Sequence, residues 1–168
     1  FFQDCSVGHR EILGALAQGV RVIGASSMGA LRAAELAPLG MEGVGTIFRL
    51  YRDGILTSDD EVALVYDPET NLPLSEPLIN IRCTIRAAER EGVLSPASAE
   101  LLLSIAQSLY FPERTWEAIC HGAGERISHE ERERFAGFLS TSAVDQKRAD
   151  ALEAIARTRE IAAEQGLI

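Results

Sequence analysis

Lysine is almost missing from this chain. Lys147 is the only one, and the other fifteen of its sixteen basic residues are arginine. Set against twenty-five acidic residues, they leave a formal net charge of −9. That balance argues against a nucleic-acid partner, because phosphate backbones require clustered Lys and Arg. Cysteine is also scarce. Cys5, Cys83 and Cys120 are widely spaced, odd in number and form no CxxC pair, which excludes a disulfide scaffold or a zinc site. Free thiols in a cytoplasmic protein are the plain reading. No apolar run approaches the roughly 18 residues that a membrane span needs, and no signal peptide is visible. No membrane partner, metal or cofactor is expected.

What is present is ordinary for a globular chain: 168 residues, 46% hydrophobic and 24% charged, enough for one sizeable core. Residues 8–18 carry Ile12, Leu13 and Leu16 at helical spacing, with Gly19 as a stop. Residues 20–25, VRVIGA, predict a short buried strand. A helix over Met28 to Leu36 follows, ended by Pro38 and Gly40. GVGTIFRLYRDG predicts another helix, closing at Asp53-Gly54. EVALVYD, from Glu61, predicts a second strand after an acidic turn, Ser58-Asp59-Asp60.

From Pro77 onward the pattern is helical throughout. Ser95 precedes Pro96, and Ser128 stands three residues before Glu131, which is capping-box spacing. The fold class expected is α/β: a Rossmann-like strand-turn-helix portion over about residues 1–70, then an α-helical portion over about 71–168, in a single domain. With so few strands, the sheet is expected to need sequence upstream of Phe1.

The stretch GASSMGALRAAEL, Gly24 to Leu36, invites three readings. A phosphate loop needs GxxxxGK[ST], but Ala30 and Leu31 follow Gly29, so the lysine and the hydroxyl are both missing. A dinucleotide turn needs GxGxxG, and position 26 is Ser. A nucleophile elbow wants small residues on either side of a strained serine. Ser27 has Ala25 two before it and Gly29 two after, whereas Ser26 has the bulky Met28 at the second position. The elbow therefore prefers Ser27, with backbone N–H groups at Met28 and Gly29 facing a developing oxyanion. Pattern alone still leans to a serine-rich N-cap without chemistry.

A nucleophilic serine needs a base. His121 and His129 read as lying in polar, exposed loops. His9 begins the helix before the strand. Lys147 falls beside Val144, Ala151 and Ile155 on a helical wheel, at the edge of an apolar face, where desolvation lowers a lysine pKa. Its plainer reading is a lysine that snorkels over apolar surface. Arg32 and Glu35 are spaced to pair, and Arg32, one turn from the elbow, could bind a carboxylate. Asp59, Asp60 and Glu61 read as a solvated turn rather than an ion site.

Taken in order, GHREIL (Gly8–Leu13), GASSMGALRAAEL (Gly24–Leu36), GMEGVGTIF (Gly40–Phe48), DDEVAL (Asp59–Leu64), SEPLINIR (Ser75–Arg82) and DQKRADA (Asp145–Ala151) resemble the TfuA-like core family. The resemblance implies a protein that acts beside a YcaO enzyme in backbone thioamidation of a precursor peptide. It implies release of sulfide by hydrolysis of a ThiS-like thiocarboxylated carrier protein, through a hydrolase-like Ser–Lys site. The matching residues are Ser27 as nucleophile and Lys147 as base. Ser26, Met28 and Gly29 shape the site, and His9, Glu11, Arg32 and Glu35 are its supporting or substrate-binding residues. The alternative is a non-catalytic adaptor that recruits the peptide to the YcaO enzyme. Two departures bear on this. Family members often read HKEIL where this chain has His9-Arg10-Glu11, and an arginine stays protonated. The family's upstream strand and proline-rich turn are expected to be absent.

Overall fold

A computed structural model describes residues 7–166. The chain divides into two compact units: one runs up to Val62 and resumes at Gln146, and the other is Ala63–Asp145. Cys5 lies outside the described residues.

The first unit opens with α1 (His9–Ala17), followed by Gly19 at φ +80°. Only β1 (Ile23–Gly24) of the expected 20–25 strand is paired. α2 (Met28–Leu36) takes the predicted span. A 3₁₀ turn at Ala37–Leu39 carries Pro38 and ends on Gly40 at φ +103°. The chain then forms β2 (Glu42–Gly43), parallel to β1, with Ile23 opposite Glu42 and Gly24 opposite Gly43. The sequence reading begins a helix at Gly43, because a two-residue pairing is too short to leave a period. That helix, α3 (Thr46–Arg52), starts three residues later and stops at Asp53 and Gly54 as expected. The architecture is therefore mixed but mainly helical, with a two-stranded parallel sheet in one β-α-β unit.

Two glycines in this unit are fixed by close approach. A Cβ on Gly24 would stand 2.1 Å from the Gly29 carbonyl oxygen, and one on Gly43 2.1 Å from the Phe48 ring. Without side chains at these points α2 and α3 sit directly on the strands, burying Ala30, Ala33, Leu36, Ile47 and Phe48. The last helix, α8 (Gln146–Glu164), packs on α3 and β1.

The strand expected from Glu61 does not form. Asp59–Val62 is a 3₁₀ turn, secured by the Tyr51 hydroxyl donating to the Ser58 carbonyl at 2.8 Å and by Ser58 Oγ donating to Asp60 at 2.5 Å. Local side-chain bonds of this kind compete with a ladder. Glu61, expected to be solvated, is buried.

The second unit begins with an isolated antiparallel bridge between Tyr66 and Pro73, where Pro68 and Pro73 limit further pairing. Four helices follow: α4 (Leu78–Arg90), α5 (Pro96–Ser108), α6 (Trp116–Ala123) and α7 (His129–Ser142). Ser95, Thr115 and Ser128 cap α5, α6 and α7 by accepting from Ser98, Ala118 and Glu131 N–H at 3.1–3.2 Å. The Glu131 carboxylate does not close the capping box. It accepts from Ser95 N–H at 2.5 Å and Ser98 Oγ at 2.9 Å, joining the starts of α5 and α7. Arg114, 2% exposed, donates to the Ala106 and Leu109 carbonyls, placing positive charge at the end of α5 where the helix dipole favours it. Ile81, Ile85, Leu102, Ile119 and Phe135 form the centre of this unit's core. Among the described residues no helix is long and apolar enough to cross a membrane.

Candidate active site

Both parallel strands run out into short loops, and the serines occupy the first. Ser27 N–H donates to the Ala25 carbonyl at 2.7 Å, so the chain reverses around Ser26, which stands at φ +68°. A left-handed serine at the centre of so tight a turn is strained. The elbow pattern puts the strain on Ser27; the structure puts it on Ser26. The Ser26 hydroxyl is also committed, donating to the Lys147 carbonyl at 2.7 Å.

Ser27 differs. It is the residue before α2, yet its side chain makes no capping bond, and its half-buried hydroxyl has no hydrogen-bond partner among the described residues. Its carbonyl accepts from Ala30 and Leu31 at 2.9 and 3.3 Å. The Met28 and Gly29 N–H groups find no acceptor among the described residues, as expected of the first amides of a helix. A hydroxyl and two unengaged amides thus share one helix start at the carboxyl end of β1.

Lys147 reaches this turn with its backbone. Its half-buried side chain donates from Nζ to the Val62 carbonyl at 2.7 Å, and Nζ is not hydrogen-bonded to Ser27. One turn on, Asp150 is 1% exposed and lies on the start of α3, accepting from Thr46 N–H at 3.0 Å and Ile47 N–H at 2.7 Å. Gln146 Nε2 donates to the same carboxylate at 2.7 Å. Gly45, at φ +94°, has to be glycine here, because a Cβ would stand 2.4 Å from the Asp150 carboxyl carbon. The first turn of α8 therefore fastens both strand-end loops. The sequence reading missed Asp150. Its traces were its place in the DQKRADA stretch and its i, i+3 spacing from Lys147, which puts the two on one helix face.

Three of the supporting residues come together. The Glu35 carboxylate accepts from Arg32 at 2.7 Å and lies 2.7 Å from His9 Nε2. Partial burial works to raise the Glu35 pKa, but the Arg32 and His9 hydrogen bonds outweigh it and hold the carboxyl below its ordinary value. Arg32 also donates to the Val7 carbonyl at 3.3 Å. Glu11 stands apart from this group, accepting from Gly8 N–H at 2.7 Å. His121 and His129 are exposed, on α6 and α7. Among the described residues no three His, Cys, Asp or Glu side chains are grouped to hold a metal ion.

The family model described as TfuA-like protein matches residues 1–115. The chain belongs to the TfuA-like family. The match takes in the serine turn, both strands and the His9 cluster of this TfuA-like protein, and ends before Lys147 and Asp150. The family is linked to YcaO-associated thioamidation. No curated protein matches the chain.

Proposed function

We propose that this TfuA-like protein releases sulfide for a YcaO enzyme by hydrolysing a thiocarboxylated, ThiS-like carrier, with Ser27 as nucleophile. One observation carries the reading: the Ser27 hydroxyl has no partner at a helix start whose first two amides are also unengaged.

In this reading the carrier's C-terminal –COSH group meets Ser27. Ser27 Oγ forms a bond to the acyl carbon, and its proton passes to Lys147 Nζ in the neutral form of that amine. The Met28 and Gly29 N–H groups bind the tetrahedral oxyanion. The C–S bond breaks, sulfide departs with a proton, and an ester remains on Ser27. Water cleaves the ester, so that thiocarboxylic acid and water become carboxylic acid and hydrogen sulfide. Ser26 holds the turn, and His9, Arg32 and Glu35 form a charged surface for the carrier or the precursor peptide. The β1–α2–β2 unit belongs, in the same reading, to a Rossmann-like sheet.

The adaptor reading has its own support. Tyr66, Leu72 and Leu74 are all more than half exposed around the Tyr66–Pro73 bridge, and clustered apolar surface marks interaction sites. Sulfide measured from purified thiocarboxylated carrier, with no YcaO enzyme present, separates the two. Release by the wild type and its loss in Ser27→Ala are expected; a Ser27→Ala protein that releases sulfide at the wild-type rate rules out the nucleophile. No release by the wild type, together with tighter peptide binding by the YcaO enzyme, makes the protein an adaptor.

A further inference from the structure

The second unit contains a pocket of about 220 Å³ between α5, α6 and α7. Leu94, Leu102, Ala123, Ile127 and Phe135 form its apolar wall. Two residues of different chemistry complete it, Cys120 and Arg132. Burial pushes the Cys120 thiol up from its ordinary pKa, so it presents a neutral, weakly polar S–H. Arg132 is the only charged residue in the lining, and Ala136, one turn further along α7, is exposed. The pocket therefore opens along α7, past Arg132.

Arg132 is unusual for this protein. Two other half-buried arginines each find a carboxylate: Arg32 has Glu35, and Arg157 has Glu42 and Glu160. The half-buried Arg132 side chain has no hydrogen bond or ion pair among the described residues. A half-buried guanidinium without a partner is open to a carboxylate, which it can bind through two parallel N–H bonds. An apolar cavity of roughly 150 Å³ already accepts a molecule the size of benzene, so this one has room for a ring or a short alkyl chain.

We propose that this pocket binds an apolar monocarboxylate, its hydrocarbon part against Leu102, Ile127 and Phe135 and its carboxylate on Arg132. Binding there is separate from the chemistry at Ser27. Two sources share this chemistry: a free aliphatic or aryl acid, and the C-terminal residue of a peptide ending in an apolar side chain.

The protein carries its own probe. Trp116 is the only tryptophan in the sequence, and its ring lies edge-on to Phe135 at 5.8 Å. Tryptophan emission of the full chain is to be followed during titration with octanoate, with octanol, and with a pentapeptide ending in leucine as free acid or as amide. Saturable change with octanoate, at least about tenfold weaker for octanol, is expected, since a charge-assisted bond separates the two. Whichever of octanoate and the free-acid peptide saturates at the lower concentration is the source. Arg132→Gln should bring octanoate to the affinity of octanol and leave octanol unchanged. Ala123→Leu should fill the cavity and abolish both. If Ala123→Leu fails to fold, Arg132→Gln still decides. Equal affinity for octanoate and octanol in the wild type, an Arg132→Gln variant that binds octanoate as before, or no saturable change with either acid overturns the assignment.

Discussion

The Ser26 hydroxyl donates to the Lys147 carbonyl at 2.7 Å, joining residues 121 positions apart. A strained turn is thereby held from outside, and the neighbouring Ser27 hydroxyl stays unengaged. The two serines differ in duty, and substitution should separate them.

Ser26→Ala loses a half-buried hydrogen bond and keeps the positive φ, so urea unfolding should show about 1 kcal/mol less stability. Ser26→Gly loses the same bond but relieves a left-handed conformation worth about 1 kcal/mol, and should lie close to wild type. Ser27→Ala breaks no bond, so its stability should change by less than about 0.5 kcal/mol while sulfide release is lost. An inactive Ser26→Ala beside an active Ser27→Ala would transfer the nucleophile to Ser26.

Lys147→Arg tests the base. Arginine can still donate to the Val62 carbonyl but stays protonated at any working pH. The expected outcome is a folded protein by circular dichroism whose sulfide release falls at least about a hundredfold, the typical contribution of a positioned base. Retained activity would leave Lys147 as a structural clamp.

Asp150 and Gly45 form a matched pair. Asp150→Ala leaves the Thr46 and Ile47 amides buried without their acceptor and should cost about 2–4 kcal/mol. Gly45→Ala places a methyl group against that carboxylate in a left-handed conformation, at a cost of about 2 kcal/mol or more. Because the clash needs the carboxylate, the double variant should be less damaged than the sum of the two. Additive losses in denaturant midpoints would contradict the contact.

Two glutamates in the second unit should give opposite pH responses. Burial works to raise the Glu131 pKa, but bonds from Ser95 and Ser98 outweigh it and hold it below the ordinary 4.5. Its stabilisation is present above that value and lost as pH falls through the lower folded value. Glu76 is raised above 4.5, first by burial and then by the charge of Asp145. Its contribution is present below 4.5 and lost as pH rises through the raised folded value. In thermal melts across this range Glu131→Gln should flatten the acid-side loss, whereas Glu76→Gln should stabilise the protein on the alkaline side.

Helices were legible where amphipathic period and caps agreed. α2 took its predicted span, and Ser95 and Ser128 capped the helices they precede. The pairing of Arg32 with Glu35 was readable from spacing alone. Features resting on contacts distant in sequence were not. β2 is two residues long, with no room for an alternating pattern. The Glu131 carboxylate turns from its own helix start to Ser95 and Ser98, because the buried Ser98 hydroxyl needs an acceptor and no local pattern reports that need. The serine stretch showed where a turn would fall. It could not show that Ser26 takes the left-handed conformation, since that depends on a carbonyl supplied by α8.

The clasp of Asp150 on Thr46 and Ile47 also bears on the order in which the molecule is made. Synthesis delivers residues up to Val62, then all of Ala63–Asp145, and only afterwards α8. The inserted unit is complete when it leaves the ribosome, but the β-α-β unit still lacks the helix that fastens both of its loops. Domains generally fold as units during synthesis, so Ala63–Asp145, though later in the chain, matures before the serine turn that precedes it.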